Sequence, residues 1–551
     1  MKSNLFITSL VFLIFTTNLW ATVFYVDPSH GSMANNGSIS SPWSTLFEVI
    51  EANLIESYQF ATHPPETYTE LIIKNEGAPV KAGDTIMLLS GYHGEIELVE
   101  FFNSSCITIM AAPGHTPQLA RLRVVGGCKW IFSGLTLSPD FTEHNSSVNI
   151  VQLESHNWRG KVSQCTVENC TLYSVFDASN WTREQWDTLS SNGINTSGED
   201  IIIHNNYLKN VNFGISVTGI NATISNNVIE NFAGDGMRGI GNDLLFEYNV
   251  VKNCYDVNEN HDDGFQSWSI NDQPPRERVT LRGNIIINYE DENQPFRGTL
   301  QGIGCFDGPY INWVVENNIV ITDHWHGISL YGAVNSRIVN NTVIDPNEER
   351  PGPPWIGFFN HKDGTPSENC IVRNNIATNY QYGKGSYVDH NLEIEFSDYD
   401  IYFTNWQNNN LELVEGCNAI DAGFPQLAPI NDAAGRIRPF GDGIDLGAYE
   451  FGSYVADTGK IKPNDIGLIN YPNPFSSETE IVYTLNKTSY ITLNIYDISG
   501  KLVAQPVRSM HSSGKYTLNF RPRDYKLPDG IFICKLTSTY GNATVDLVHI
   551  E

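Results

Sequence analysis

A repeated asparagine followed by a short apolar run constrains the fold of this chain more than any other feature. Between about residues 190 and 380 the sequence contains HNNYLKN, SNNVIEN, EYNVVKN, RGNIIIN, ENNIVIT, VNNTVID and RNNIATN. A second short run, such as FGISVT, DGFQSW or HGISLY, is centred on a glycine next to an apolar residue. The repeated glycines are Gly193, Gly214, Gly236, Gly264, Gly302 and Gly327. Their spacing starts near 21 residues and grows where loops are inserted.

This period, with two or three short strands per repeat, predicts a right-handed parallel β-helix. Each coil of such a solenoid stacks on the last at roughly 4.8 Å. Asparagine tolerates the left-handed backbone of a tight turn, and stacked asparagine amides can hydrogen-bond from coil to coil. A β-propeller would need longer blades, and a leucine-rich repeat would show regularly spaced leucines. The predicted fold class is therefore all-β.

Charge and cysteine usage exclude several kinds of function. The 551 residues include 33 basic and 62 acidic ones, for a formal net charge of -29. Such a chain repels nucleic acid phosphates and anionic membranes, so we expect no nucleic-acid partner. The nine cysteines form no CxxC pair, which argues against metal-thiolate ligation. Most lie in apolar strand patterns and are predicted to be buried free thiols rather than disulfides.

The two ends of the chain differ from the repeat region. Residues 1–21 combine Lys2 with an apolar segment and a small residue, Ala21, as in a secretory signal peptide. No later apolar run is long enough for a membrane span. We predict a β-helix domain over 22–452, a polar linker over 453–467, and a small β-sandwich over 468–551, where short alternating strands are separated by turn signals. The protein is expected to be an extracytoplasmic monomer.

The repeat also predicts which side chains face outward. Because alternate residues of a strand point to opposite faces, we align the coils on their glycines. The residue after each glycine is apolar and should point inward: these residues are Ile194, Ile215, Met237, Phe265, Ile303 and Ile328. Residues one before, two after and four after the glycine should point outward. In the middle coils they are Asp235, Arg238, Asp263, Gln266, Trp268, Phe306, His326 and Tyr331, with His261 and Asp262 at the edge.

Charge and aromatic side chains coincide on this outward face. Asp235 and Asp263 share a column on adjacent coils, so their carboxylates are predicted to lie about one strand spacing apart. Two carboxylates this close do not readily both ionise, and one pKa should rise. A protonated acid beside an ionised base suits glycosidic cleavage. Exposed aromatic rings on the same face can stack on the apolar faces of sugars.

Several segments resemble known families. Residues 24–52, 81–95 and 417–452 resemble the beginning, the first coil and the closing segment of secreted β-helix proteins of the pectin-lyase-like superfamily. GDGM, HDDG and WHGISLYG resemble the motifs of polygalacturonase-type glycosidases, which implies roles for Asp235, for Asp262 with Asp263, and for His326. On this basis the candidate catalytic residues are Asp235, Asp262, Asp263, His326 and Arg238, and the candidate substrate-binding residues are His261, Gln266, Trp268, Phe306 and Tyr331.

The C-terminal segment resembles the sorting domain of the type IX secretion system. The residues that carry this resemblance are YPNPF, IYDISGKLV and LPDGIFICKL. It implies export across an outer membrane through that machinery, followed by release or attachment to the cell surface.

Three functions remain open at the level of sequence. The first, slightly favoured, is a glycoside hydrolase acting on an extracellular polysaccharide. The second is a polysaccharide lyase, for which Arg238, His261, His326 and Tyr331 could supply the base and the charge neutralisation. Calcium could assist a lyase, and the carboxylates that could hold it are Asp256, Glu259, Asp262 and Asp263. The third is a non-catalytic adhesin or carbohydrate-binding module, although charge concentrated on the middle coils favours an enzyme.

Overall fold

The computed structural model describes residues 21–551 except 67–68, 144–145, 270–273, 384, 453–465, 472–474, 476, 486–488, 498–500, 513, 529, 539–540 and 550–551. The chain divides into two compact units, one extending to Phe451 and the other beginning at Gly452. The predicted signal peptide lies outside the described residues except for Ala21, and so does most of the predicted linker.

The first unit is a right-handed parallel β-helix, which confirms the predicted fold class. Each coil contributes short strands to three faces. The face that carries the repeated glycines, called the glycine face below, consists of Asn149–Glu154, Asn192–Thr196, Ile215–Val217, Met237–Gly239, Asp263–Trp268, Gln301–Asp307, His326–Tyr331 and Trp355–Phe359. Two long strands, Glu95–Ala111 and Arg121–Ser133, precede it and run on into the second face.

The other two faces follow the same order of coils. The second face consists of Val23–Val26, Thr85–Leu88, Val162–Glu168, Glu199–His204, Ile220–Ser225, Leu244–Glu247, Val279–Arg282, Val314–Glu316, Arg337–Val339, Cys370–Arg373 and Ser386–Asp389. The third face consists of Gly91–Tyr92, Pro117–Leu119, Thr136–Leu137, Thr171–Tyr173, Tyr207–Val211, Val228–Phe232, Val250–Cys254, Ile285–Ile287, Ile319–Ile321, Thr342–Ile344, Ile376–Ala377 and Leu392–Glu393.

Smaller elements lie in the loops that connect the coils of the solenoid. Among the described residues, the loops contain three α-helices, Leu46–Glu51, Arg183–Leu189 and Tyr399–Tyr402, and three 3₁₀ turns, Pro139–Phe141, Phe396–Asp398 and Trp406–Asn408. The remaining strands form two antiparallel pairs and one small parallel sheet: Ser57–Phe60 with Leu71–Lys74, Phe403–Asn405 with Asn410–Leu413, and Arg276–Glu277, Tyr310–Ile311 and Ala333–Val334.

Apolar side chains from all three faces fill the interior of the solenoid. The six residues predicted to point inward after the repeated glycines are each at most 1% exposed. Phe265 packs edge-on against both Phe246 and Trp313, so adjacent coils interlock. Burial of each such side chain stabilises the fold by roughly 1.5–3 kcal/mol.

The two residues of each asparagine pair have different structural roles. The first residue of a pair, for example Asn226 or Asn340, adopts the left-handed backbone of the turn. The second residue is buried in every coil but the last, and it forms a ladder in which each Nδ2 donates to the Oδ1 of the next coil at 2.9–3.0 Å. The ladder residues are Asn206, Asn227, Asn249, Asn284, Asn318, Asn341, Asn375 and Asn391. The predicted structural role of the asparagines is therefore confirmed.

The repeated glycines are required because neighbouring atoms lie too close to leave room for a side chain. A Cβ on Gly264 would lie 2.4 Å from the Ile286 side chain of the third face and 2.8 Å from the Gly302 carbonyl oxygen. A Cβ on Gly236 would likewise lie 2.3 Å from Val251. The coil therefore bends tightly at these positions, and the residue before each glycine stands at the corner where the glycine face begins.

The second unit is a small β-sandwich. One antiparallel sheet contains Ile466–Tyr471, Thr479–Leu485 and Gly514–Phe520, and the other contains Ser489–Asp497, Leu502–His511, Gly530–Ser538 and Gly541–His549. Pro522–Tyr525 forms a 3₁₀ turn. Side chains from both sheets, such as Tyr483 and Leu536, meet in one apolar core. Over the described part of the chain, no helix combines the length and apolar character that crossing a membrane requires.

The cysteines behave as the sequence predicts. All nine are free thiols, and seven of them are buried. Burial raises the pKa of the Cys165 thiol, and likewise that of the Cys170 thiol, to about 12. Thiols of this kind are inert packing residues rather than nucleophiles.

Candidate active site

Strand register confirms the outward column predicted two residues after each glycine. Consecutive coils pair the members of this column directly, in the order Arg123, Gln152, Asn195, Ser216, Arg238, Gln266, Gly304, Ser329 and Gly357. The next outward column contains an irregularity, because Trp268 pairs with Asp307 and not with Phe306. The Phe306 ring still lies on the outer side, where it contacts His261, His326 and Tyr331.

Arg238 and Asp235 form a tight ion pair at the centre of the glycine face. Arg238 Nε donates to Asp235 Oδ2 at 2.5 Å. The guanidinium lies 3.5 Å above the Phe213 ring of the preceding coil and 5.5 Å from the Trp268 ring of the following coil. The cation is thus held between two aromatic rings and a carboxylate. Because the bond to Asp235 uses Nε, the two terminal amino groups can reach a further acceptor.

Asp263 sits beneath His261 and Gln266. Its Oδ2 lies 3.1 Å from His261 Nδ1 and accepts a hydrogen bond from Gln266 Nε2 at 2.8 Å. The Asp263 side chain is fully buried, whereas the His261 side chain is 63% exposed. The hydrogen bond to Asp263 raises the pKa of His261 above its usual value. Asp263 therefore orients an imidazole whose other nitrogen is directed away from the carboxylate.

The two aspartates of the predicted pair are directly connected. Asp263 donates its backbone N–H to Asp235 Oδ1 at 3.0 Å. Burial raises the pKa of both carboxyl groups, and for Asp235 the adjacent Arg238 opposes this shift. For Asp263 the hydrogen bond with His261 opposes the shift in the same way. The two carboxyl groups therefore influence each other's ionisation, because the charge of Asp235 also raises the pKa of Asp263.

A glycine on the next coil makes room for Asp263. A Cβ on Gly304 would lie 2.0 Å from Asp263 Oδ1, so no other residue type fits there without displacing the carboxyl group. Among the described residues nothing hydrogen-bonds to this buried Oδ1. Since an ionised oxygen in this position would lack any compensating contact, the geometry agrees with the raised pKa.

Asp262 does not join the outward face, contrary to its predicted position at the edge. Its Oδ2 accepts a hydrogen bond from the Cys254 thiol at 3.4 Å, and the side chain is buried. Burial raises its pKa to about 8. The physical reason is that Asp262 precedes the strand Asp263–Trp268, so the alternation of the strand does not determine its direction.

The carboxylates are also less exposed than the sequence predicts. Asp235 and Asp263 were predicted to present their side chains to solvent, yet they are 2% and 0% exposed. The solvent-facing groups of the site are instead the side chains that cover them, namely Arg238, His261, Gln266 and Trp268. The carboxylates form a charged layer between the apolar core and this outer layer.

His326 continues the outer layer on the next coils. Its Nδ1 lies 3.0 Å from Ser329 Oγ, which also accepts a hydrogen bond from Trp355 Nε1 at 3.0 Å. The Ser329 hydroxyl therefore connects the indole of Trp355 to the imidazole of His326. Burial and the neighbouring His324 lower the pKa of His326 to about 4. This side chain is therefore a neutral imidazole near pH 7.

An aromatic platform borders the site on the C-terminal side. Tyr331 stacks on Phe359 with ring centres 4.7 Å apart, and Trp325 stacks on Trp355 at 6.2 Å. Trp325 is 47% exposed. The comparison of coils in the sequence did not single out Trp325, Trp355 or Phe359. Aligning WIGFF on its glycine would have misplaced this strand, because Gly357 pairs with Ser329 and not with Gly327.

No metal site is apparent where the sequence suggested one. Within the described residues, no three His, Cys, Asp or Glu side chains converge in a way that could hold a metal ion. The adjacent carboxylates Asp262 and Asp263 point to different partners, Cys254 and His261, which separates two of the four suggested calcium ligands.

The C-terminal segment belongs to a recognised type of domain. Residues 470–550 match the family described as "Secretion system C-terminal sorting domain". The predicted type IX sorting domain is therefore confirmed, and it indicates export followed by secretion or attachment to the cell surface. No curated protein matches the sequence of the chain.

Three solved structures illustrate the similarities of the chain. The pectate lyase Pel9A is 15% identical over 78% of this chain and 96% of its own, with a TM-score of 0.42. The A-module of the Azotobacter vinelandii mannuronan C-5 epimerase AlgE6 is 14% identical over 56% and 91%, with a TM-score of 0.33. The GH136 lacto-N-biosidase from Eubacterium ramulus is 13% identical over 68% of each chain, with a TM-score of 0.29. Identities this low say nothing about activity.

Proposed function

We propose that this protein is an exported enzyme that cleaves a uronate-containing polysaccharide by β-elimination. The observation that carries the proposal is the layering of the site. The carboxylates Asp235 and Asp263 are buried, while a guanidinium and an imidazole cover them. A hydrolase would bring two carboxyl groups into contact with the glycosidic bond. An outer layer of cation and imidazole suits proton abstraction next to a carboxylate.

Arg238 is the proposed charge neutraliser. A proton bound to carbon next to a carboxylate is acidic only if the charge that develops on the carboxylate is stabilised. The Arg238 guanidinium is fixed by Asp235, Phe213 and Trp268, so it does not have to reorganise when the substrate binds. Its terminal amino groups match the two oxygens of a uronate carboxylate.

His261 is the proposed base. Its Nδ1 is held by Asp263, which leaves Nε2 to accept the proton from C5 of the uronate. The C5–H electron pair then forms the C4–C5 double bond, and the C4–O bond breaks with its electrons on the departing oxygen. Tyr331 is the proposed proton donor to that oxygen, because burial raises its pKa and keeps the phenol protonated. His326, a neutral imidazole close to Tyr331, orients the substrate.

Hydrolysis is a second candidate because of one specific observation. Asp235 and Asp263 lie on adjacent coils, burial raises the pKa of Asp263, and Arg238 opposes that rise at Asp235, so one carboxyl group could serve as the acid and the other as the base. Hydrolysis would need His261 and Gln266 to move aside and expose Asp263 to the substrate.

The test is incubation of the full-length protein with polygalacturonate, alginate and a neutral galactan. Elimination is expected to produce absorbance at roughly 235 nm, from the conjugated double bond, on a uronate polymer only. New reducing ends without that absorbance would favour hydrolysis. Binding without either product would leave the non-catalytic module as the function. Arg238→Lys is the variant to compare, since it keeps the charge but loses the fork-shaped geometry.

A further inference from the structure

A second concave site lies on the glycine face, distant from Arg238. It is a cavity of about 620 Å³ built on the two long strands that begin this face, Glu95–Ala111 and Arg121–Ser133. Its walls combine the aromatic rings of Phe47 and Phe101 with charged side chains from these strands and from Lys74. Phe47 is 47% exposed, so its ring is open to a ligand.

The charged side chains of the cavity are held in place. Arg123 is fixed between two carboxylates, Glu97 at 2.6 Å and Glu154 at 2.7 Å. Lys74 Nζ donates to the Val99 carbonyl oxygen at 2.5 Å and lies 4.1 Å from the centre of the Phe101 ring. A site whose side chains are already ordered loses little conformational entropy when a ligand binds.

Strand register connects this cavity to the candidate active site. Arg123 belongs to the same outward column as Arg238, and four coil steps separate them, through Gln152, Asn195 and Ser216. Four strand spacings correspond to about 19 Å. An extended polysaccharide lying along the axis would advance by roughly one strand spacing per sugar.

Amide side chains line the path between the two sites. Gln152 Nε2 donates to Asn195 Oδ1 at 3.3 Å, and Asn192 Nδ2 donates to Asn149 Oδ1 at 2.9 Å. These four side chains are all half-buried on the outer side of the face. Amides that face solvent in a row can exchange hydrogen bonds with the hydroxyl groups of a sugar chain.

We infer that this cavity binds sugar residues of the same polysaccharide, about four residues from the bond that is cleaved. The inference rests on the proposed function. Its chemistry favours recognition of the hydroxyl groups of a sugar residue, because Arg123 is already paired with Glu97 and Glu154 and offers no unpaired charge to a carboxylate. Sugar hydroxyls can accept from the guanidinium and donate to the carboxylates, while a ring face stacks on Phe47.

The experiment compares Arg123→Gln with a matched control, Arg282→Gln. Arg282 also bridges two carboxylates, Glu247 and Glu316, but it lies on the second face. Affinity electrophoresis in gels that contain polygalacturonate or alginate measures binding without requiring turnover. Steady-state kinetics on the polymer and on a trisaccharide, which is too short to span four coils, then measure the effect on catalysis.

For Arg123→Gln, retardation in the gel is expected to weaken and the KM for the polymer to rise about tenfold. This change corresponds to the loss of one charge-assisted hydrogen bond to the polysaccharide. The kcat on the polymer and the kcat/KM on the trisaccharide should stay within about twofold, as should all values for Arg282→Gln. Equal retardation and equal KM for wild type and Arg123→Gln would overturn the inference and leave the proposed function standing. A wild-type protein that no polysaccharide retards would overturn the inference, whereas the product assay decides the proposed function separately.

Discussion

Replacement of Asp262 by asparagine is expected to change how the stability of the β-helix depends on pH. Asp262 is 4% exposed and its only hydrogen-bond donor is the Cys254 thiol among the described residues. Burial raises its pKa from 3.8 to about 8. Between these two values the folded protein binds a proton that the unfolded chain releases. The free energy of unfolding therefore falls as pH rises, and the loss is complete above the folded pKa.

The magnitude follows from the size of the shift. One pKa unit corresponds to about 1.4 kcal/mol, so the wild-type protein should lose up to about 1.4 kcal/mol per pH unit relative to Asp262→Asn. The free energy of unfolding of the variant, relative to that of the wild type, should therefore be about 4 kcal/mol higher at pH 7 than at pH 4. Any effect of the asparagine on packing is independent of pH and shifts the whole curve without changing this slope.

Urea unfolding followed by circular dichroism at pH 4, 5, 6, 7 and 8 measures the difference. Glu259→Gln is the control, since Glu259 lies three residues away and is exposed. The control should follow the wild-type curve. If the curves of the wild type and Asp262→Asn ran parallel over this range, Asp262 would be ionised in the folded protein and the argument from its burial would be wrong.

Three further outcomes are expected. Asp263→Asn should lower kcat roughly 100-fold. It should also move the rising limb of the pH–rate profile, which reports deprotonation of His261, to lower pH, because the hydrogen bond that raises the pKa of His261 is lost. An unchanged limb would show that Asp263 does not act on His261. Arg238→Lys should lower kcat/KM on a uronate polymer about tenfold or more, as measured by steady-state kinetics. Asn249→Ala should destabilise the protein by about 3 kcal/mol, as measured by urea unfolding, because it leaves buried groups of the ladder without partners.

The sequence predicted the architecture because the repeat determines it. The apolar residue after each glycine had to point inward, and strand register places Arg238 next to Gln266 as the alignment expected. The same periodicity identified the asparagine ladder. These features depend only on the alternation of side chains along a strand and on the stacking of equivalent positions.

The layering of the site could not be predicted from periodicity. Whether Asp263 reaches solvent depends on the space above Gly304 and on the side chains of His261 and Gln266 that cover it. The direction of Asp262 depends on Cys254, which comes from a different face of the same coil. Alternation determines which side of a sheet a residue occupies, whereas its exposure depends on the neighbours that fold over it.

The type of product tests the central claim most directly. The full-length protein is incubated with a uronate polymer, and the oligosaccharides are analysed by mass spectrometry. If Arg238 and His261 carry out β-elimination, each new non-reducing end will be unsaturated, and the oligosaccharides will be lighter by one water molecule than hydrolysis products. Saturated ends would contradict the account, and would show that the buried pair Asp235 and Asp263 becomes exposed and acts directly on the glycosidic bond.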